Sequence, residues 1–254
     1  MPLNVVAVQL DIRWEDRPAN RDRVADLLRG QTRPGSLIVL PEMFDAGFTM
    51  RADKAVDDDG TTDLFLGQLA REHASYVLAG HASRDGSGRP INQLGVYAPT
   101  GERLHQYIKT YPFSIAGEDK SYTAGPGASV IDIAGLKVAP AICYDLRFPE
   151  LFRAGRALGA EVFVVIANWP VARVEHWLTL ARARAIENQA WVIAVNRTGT
   201  DPTPLTYPGR SVVIDPQGTI VADAGATEGL LRATIDEQAV RSWREKFPVW
   251  RDVK

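Results

Sequence analysis

The chain has 254 residues, 45% of them hydrophobic and 24% charged, with a formal net charge of −2. This is the balance of an ordinary globular protein with a sizeable core, and its scattered charges make no case for nucleic acid or an anionic membrane as a partner. The lone cysteine, Cys143, excludes an intramolecular disulfide framework and any cysteine-rich metal site. Met1-Pro2-Leu3-Asn4 carries no basic-then-apolar leader and no apolar run reaches membrane-spanning length, so the expected location is the cytoplasm.

Val5-Val6-Ala7-Val8 reads as a buried strand, and residues 20–29 as a helix with Val24, Leu27 and Leu28 on one stripe. Residues 37–40 form a second buried strand that runs into Pro41-Glu42. Residues 62–73 read as helix and 76–80 as a third strand. From Ile91 hairpins take over: 92–98 with 103–107 around Pro99-Thr100-Gly101-Glu102, then 129–133 with 136–142 around Gly135. A helix opens after Cys143. Strand 161–166, helix 174–189 and strand 191–195 restore the βα order. A hairpin at Asp215-Pro216-Gln217-Gly218, a strand at 230–235 and a helix at 236–246 close the chain.

No linker, repeat or low-complexity stretch divides residues 1–254, so one domain is expected. Many strands with about five helices fit neither one doubly wound sheet nor a barrel. Two mixed sheets packed face to face, with helices outside each, would bury the apolar strands on both faces.

Several strands end in residues that can do chemistry: Glu42, Lys109, Cys143, Asn168 and Asn196. Singly, each has an ordinary structural explanation, such as a turn residue, a solvated lysine or a buried inert thiol. Together, Glu, Lys and Cys make a hydrolytic set. A thiol at a strand end near helix amides can be held partly as thiolate. A carboxylate in a dry pocket can take its proton, and an ammonium can hold the oxyanion of a tetrahedral intermediate with the backbone N–H after the cysteine. The competing arrangement, Cys-His-Asn, would need one of His73, His81, His105 or His176, and none carries a local signature. His176 reads as close to the pocket but structural. No two His or Cys residues have metal-ligand spacing, so neither metal nor cofactor is expected.

Pro41-Glu42-Met43-Phe44, Tyr107-Ile108-Lys109-Thr110 and Ile142-Cys143-Tyr144-Asp145-Leu146-Arg147-Phe148-Pro149-Glu150 resemble, in order, the three catalytic blocks of the nitrilase (carbon–nitrogen hydrolase) superfamily. The resemblance continues through residues 183–189, Asn196-Arg197, Gly209-Arg210-Ser211 and the hairpin at Asp215, so it covers nearly the whole chain. It implies an α/β fold, a four-layer α-β-β-α sandwich. It implies Glu42 as general base, Lys109 as oxyanion stabiliser and Cys143 as nucleophile. Glu118 stands where the family has a second glutamate that orients substrate and lysine. The family assembles into dimers or larger oligomers, often with a C-terminal tail, which here would be 247–254.

Tyr144 after the cysteine favours amides over nitriles. Residues 42–50 resemble the ω-amidase branch, which acts on 2-oxoglutaramate, an amide with a distal α-keto acid. Such a carboxylate calls for an arginine, whose fork binds it bidentately. Arg147 and Arg173 are the candidates, although Arg147 could instead pair with Asp145 or Glu150. Phe44, Phe113, Trp169 and Tyr144 are expected to wall the pocket; Phe48 reads more readily as core. Two related activities stay open, N-carbamoyl-amine and deaminated-glutathione amide hydrolysis. Outside enzymology, so does a thiol redox or binding protein, which would need neither Glu42 nor Lys109.

Overall fold

Period-two alternation decides the architecture. In strand β1 (Leu3–Gln9), Val5 and Ala7 point to one side, Val6 and Val8 to the other, and all four are buried. A strand apolar on both faces must lie inside a stack of layers. In this computed structural model, which describes residues 2–252, the chain continues with α1 (Arg17–Leu28), β2 (Leu37–Val39), α2 (Ala52–Ala55), α3 (Thr61–Glu72), β3 (Tyr76–Arg84), β4 (Pro90–Tyr97), β5 (Arg103–Ile108) and α4 (Glu118–Ser121). The second half holds β6 (Ile131–Ile133), β7 (Leu136–Ile142), α5 (Pro149–Ala157), β8 (Val162–Ala167), α6 (Val174–Asn188) and β9 (Trp191–Asn196). A small hairpin follows, β10 (Thr198–Thr200) and β11 (Thr206–Pro208), then β12 (Val212–Ile214), β13 (Ile220–Asp223), β14 (Gly229–Ile235) and α7 (Glu237–Lys246).

Two six-stranded sheets form, in the orders β14-β1-β2-β3-β4-β5 and β13-β12-β9-β8-β7-β6. Each is mixed: β1-β2-β3 and β7-β8-β9 run parallel, and their neighbours antiparallel. Val5, Ala7, Leu37, Val39 and Leu78 of the first sheet meet Val138, Ile142, Val162, Val164 and Ile166 of the second in the central core. The outer face of the first sheet is covered by Val24 and Leu28 of α1 and Leu66 and Leu69 of α3. That of the second is covered by Phe152 of α5 and Trp177, Ala181 and Ala185 of α6. The layers therefore stack α-β-β-α, as expected.

Local differences have local causes. The helix expected at 20–29 starts at Arg17, because Asp16 accepts the Ala19 amide at 3.2 Å and Pro18 suits a first turn. β3 extends to Arg84 because Val77 to Arg84 pair continuously with β4. No α-helix opens directly at Cys143. Residues Cys143–Arg147 form a 3₁₀ turn, and α5 begins at Pro149. The β10–β11 hairpin has no counterpart in the sequence-based expectation. At the carboxyl end, Phe247 accepts a hydrogen bond from Gln189 Nε2 at 2.7 Å and Val249–Asp252 turns once more; residues 253 and 254 of the expected tail lie outside the described residues.

Candidate active site

The ends of β2, β5, β7 and β8 converge on one buried polar cluster. Lys109, one residue past β5, is 1% exposed, and Glu42 and Glu118 are fully buried. Lys109 Nζ donates to Glu42 Oε1 at 2.8 Å and to Glu118 Oε1 and Oε2 at 3.0 and 2.8 Å. Each carboxylate is also held from elsewhere. Asn92 Nδ2, on β4, reaches Glu42 Oε1 at 2.8 Å and Glu118 Oε1 at 2.9 Å. The Asn168 backbone N–H, just past β8, donates to Glu42 Oε2 at 2.8 Å, and the Phe113 N–H donates to Glu118 Oε2 at 2.6 Å. A buried ion set survives only when its lone pairs are satisfied in this way.

The backbone bends sharply at two of these strand ends. Met43, after Glu42, has φ 44° and Cys143 has φ 48°, left-handed values uncommon for residues with a side chain. Such a turn lifts Cys143 out of its strand direction, and Sγ lies 4.0 Å from the Asn168 carbonyl oxygen. Glycine is required beneath Glu42: a Cβ on Gly80 would fall 2.7 Å from the Glu42 Cα.

A cavity of about 370 Å³ opens above the cluster, and Cys143 lines it. Tyr144, Arg147, Phe113, Trp169 and Arg173 line it too, as expected from the sequence. Phe44 does not. It is fully buried on the helix side of the first sheet, stacked on Phe65 at 6.2 Å. The exchange is with Phe48, which the sequence suggested as core and which lines the cavity, its ring centroid 5.0 Å from Lys109 Nζ. Left-handed backbone at Met43, just before Phe44, and at Gly47, just before Phe48, redirects the chain, so the two rings face opposite ways. Trp14, Arg51, Asp201, Leu205 and Tyr207 also line the cavity, and none was anticipated. They sit on loops and on the unexpected hairpin, where no periodic pattern marks the inward side.

Electrostatics set the resting protonation. Burial pushes the Cys143 thiol well above its usual range, Glu42 adds to this, and Lys109 opposes it. Burial therefore works against the anion that the strand-end position was expected to favour, and no α-helix terminus begins at the sulfur to offset it. Burial alone would lower the Lys109 pKa, but Glu118 and Glu42 outweigh it and the ammonium is held charged. Asp145 is also buried, and burial raises its carboxyl to about 6. It accepts from Ile142 N–H at 2.9 Å, Tyr107 Oη at 2.8 Å and Tyr111 N–H at 2.8 Å, so it is not free to pair with Arg147.

Arg147 lies 4.8 Å over the Trp169 ring, with Nη2 3.3 Å from His176 Nδ1. Arg173 lies 5.7 Å over the Phe113 ring. No described residue forms an ion pair with either arginine. The remaining histidines are engaged elsewhere: His73 with Thr32, His81 with Gln93, His105 with Ser129. Among the described residues no group of three or more His, Cys, Asp or Glu could hold a metal ion.

A four-layer sandwich with a cysteine, a lysine and a glutamate at its strand ends, and a second glutamate opening α4 beside them, defines a class. The carbon-nitrogen hydrolase family model matches residues 4–245, and the chain belongs to that family. Its relatives make it an amide-hydrolysing enzyme. It is 32% identical to the 2-oxoglutaramate amidase of Bacillus subtilis, covering 100% of this chain and 98% of that one. It is 36% identical to the omega-amidase YafV of Escherichia coli, covering 98% and 96%. Among solved structures it is similar to XC1258 of Xanthomonas campestris, a CN-hydrolase superfamily protein with an arsenic adduct in its active site. There the TM-score is 0.95 at 34% identity, covering 100% of this chain and 98% of the other.

Proposed function

We propose that the enzyme hydrolyses small linear ω-amides bearing a distal carboxylate, of the 2-oxoglutaramate type, through a thioester on Cys143. The observation that carries this reading is the Lys109 ammonium bonded to two buried carboxylates under a cavity that Cys143 lines. The names of the bacterial relatives supply the substrate class.

In this mechanism Sγ attacks the amide carbon as its proton passes to Glu42. Lys109 and the Tyr144 N–H hold the oxyanion. Glu42 returns the proton to the leaving nitrogen, so ammonia departs and an acyl thioester remains. Water, giving its proton to Glu42, then cleaves the thioester, and the thiol and the free acid are regenerated. Glu118 fixes Lys109 between the two carboxylates. Arg147 or Arg173 binds the distal carboxylate, and Phe113, Tyr144, Trp169 and Phe48 flank the carbon chain. The chain assembles as a homo-oligomer.

Intact-protein mass after rapid quenching with 2-oxoglutaramate should show one adduct of the corresponding acyl mass, absent in Cys143→Ala. Glu42→Gln and Lys109→Ala should each lower kcat by several orders of magnitude, since groups acting as a unit fail together. His176→Ala should cost far less. A large loss at His176 with a mild one at Glu42 would replace this mechanism with a Cys-His one. Faster ammonia release from an N-carbamoyl amine or deaminated glutathione would move the substrate assignment.

A further inference from the structure

The cluster holds two carboxylates against one ammonium, and a neutral side chain makes that possible. Asn92 is 1% exposed and stands on β4 between the apolar Ile91 and Leu94. Its Nδ2 donates to Glu42 at 2.8 Å and to Glu118 at 2.9 Å, so both N–H hydrogens are used, one on each carboxylate. Its Oδ1 has no hydrogen-bond partner. The reverse amide orientation would press Oδ1 against two anions, so the charges fix which way the group faces. Its backbone carbonyl accepts the Lys109 N–H at 2.9 Å, which registers the lysine against the same residue.

We infer that Asn92 is a positioning residue for the hydrolysis: its amide bridges Glu42 and Glu118, fixing the orientation of both carboxyl groups and keeping them apart. This rests on Glu42 being the base of the proposed mechanism. Lys109, Glu118 and the Cys143 thiol are the charged or titratable groups that act on Glu42, and Asn168 and Asn92 supply the neutral donors. Donors to the charged form lower a carboxyl pKa, so removing one raises it. The acid limb of kcat/KM, which reports the essential base of the free enzyme, must then move to higher pH.

The test uses Asn92→Ala and Asn92→Ser, the second keeping one hydroxyl donor for one carboxylate. Both leave the backbone bond to Lys109 in place. Expected for Asn92→Ala are a 10- to 100-fold loss in kcat/KM at neutral pH and an acid-limb midpoint raised by about one pH unit. Asn92→Ser should fall between it and the wild type. Iodoacetamide alkylation of Cys143, followed by mass across the same pH range, should show the same displacement without any turnover. Should Asn92→Ala not fold, Asn92→Ser carries the test. An acid limb unmoved in a folded variant, whether activity is kept or lost uniformly, overturns the role. Glu42→Gln in parallel separates the two readings: if it stays active, the base assignment fails; if it is inactive while the Asn92 variants match the wild type, only the bridge fails.

Discussion

At the cavity wall, Arg147 is a cation held by an aromatic face and a histidine with no carboxylate to neutralise it. A ligand carboxylate would supply the missing partner, and hydrogen bonds to charged groups contribute about 1.5–3 kcal/mol. Arg147→Met should therefore lower kcat/KM on succinamate roughly 10- to 150-fold and leave butyramide nearly unchanged. Arg147→Lys should recover part of the preference, because a point charge lacks the fork. Equal acid-to-neutral ratios in all three proteins would pass the role to Arg173. The residues that could be read without coordinates are those whose chemistry is tied to a strand end: Glu42, Lys109 and Cys143. Asn92 escaped because one of two adjacent amides, Asn92-Gln93, within a largely apolar strand looks like tolerated polarity until its two carboxylate partners, 50 and 26 positions away, are in place. Phe44 and Phe48 exchanged places for a related reason, since the side a residue faces in an irregular turn is set by backbone angles and has no period.

Among the elements, the 3₁₀ turn Cys143–Arg147 matters most, and Asp145 is what ties it down. Through three donors it joins the end of β7, Tyr107 on β5 and the Tyr111 segment that follows Lys109. The Cys143 turn and the lysine strand are thus fastened to one carboxyl. Asparagine would offer one acceptor and turn an NH₂ toward a donor, at a cost of about 1–3 kcal/mol per unsatisfied group. Asp145→Asn should lower both stability and kcat. Burial dominates the carboxyl and raises it to about 6 from the usual 3.8, although every donor favours the anion. A raised carboxyl means the folded chain binds the proton more tightly than the unfolded one. The contribution of this group to stability is therefore greatest below about pH 4 and is lost as pH rises through about 6. The stability gap between wild type and Asp145→Asn should accordingly narrow by up to about 3 kcal/mol from pH 4 to pH 7. Urea melts at those pH values measure it, and a constant gap would remove the buried-carboxyl explanation. The strands themselves were legible because alternation and apolar runs are local. The 3₁₀ turn was not, because a polar stretch ending in Pro149 reads equally as helix start or loop.

At the scale of the molecule, the outer α5–α6 layer and the tail leave large apolar side chains in solvent. Leu158 at the end of α5, Ile186 of α6 and Trp250 of the tail are each about half exposed, and Phe247 is 53% exposed. The tail is fastened to this layer: Gln189 at the end of α6 bonds to Phe247, Arg244 bonds to the carbonyls of Asn188, Gln189 and Ala160, and Arg156 of α5 lies 5.7 Å from the Trp250 ring. The tail thus extends the outer α5–α6 layer. Obligate homodimer interfaces bury about 2,000 Å² or more and are rich in such side chains. We expect the protein to sediment as a dimer or larger at micromolar concentration. A carboxylate introduced at the centre of a dry interface has no partner there, so Ile186→Asp with Trp250→Asp should give monomers. The cluster of Glu42, Lys109, Glu118 and Cys143 comes from one chain, so those monomers should retain thioester formation even if their stability falls. A wild type that sediments as a monomer would end this assignment. A double variant that stays oligomeric would move the interface to another face.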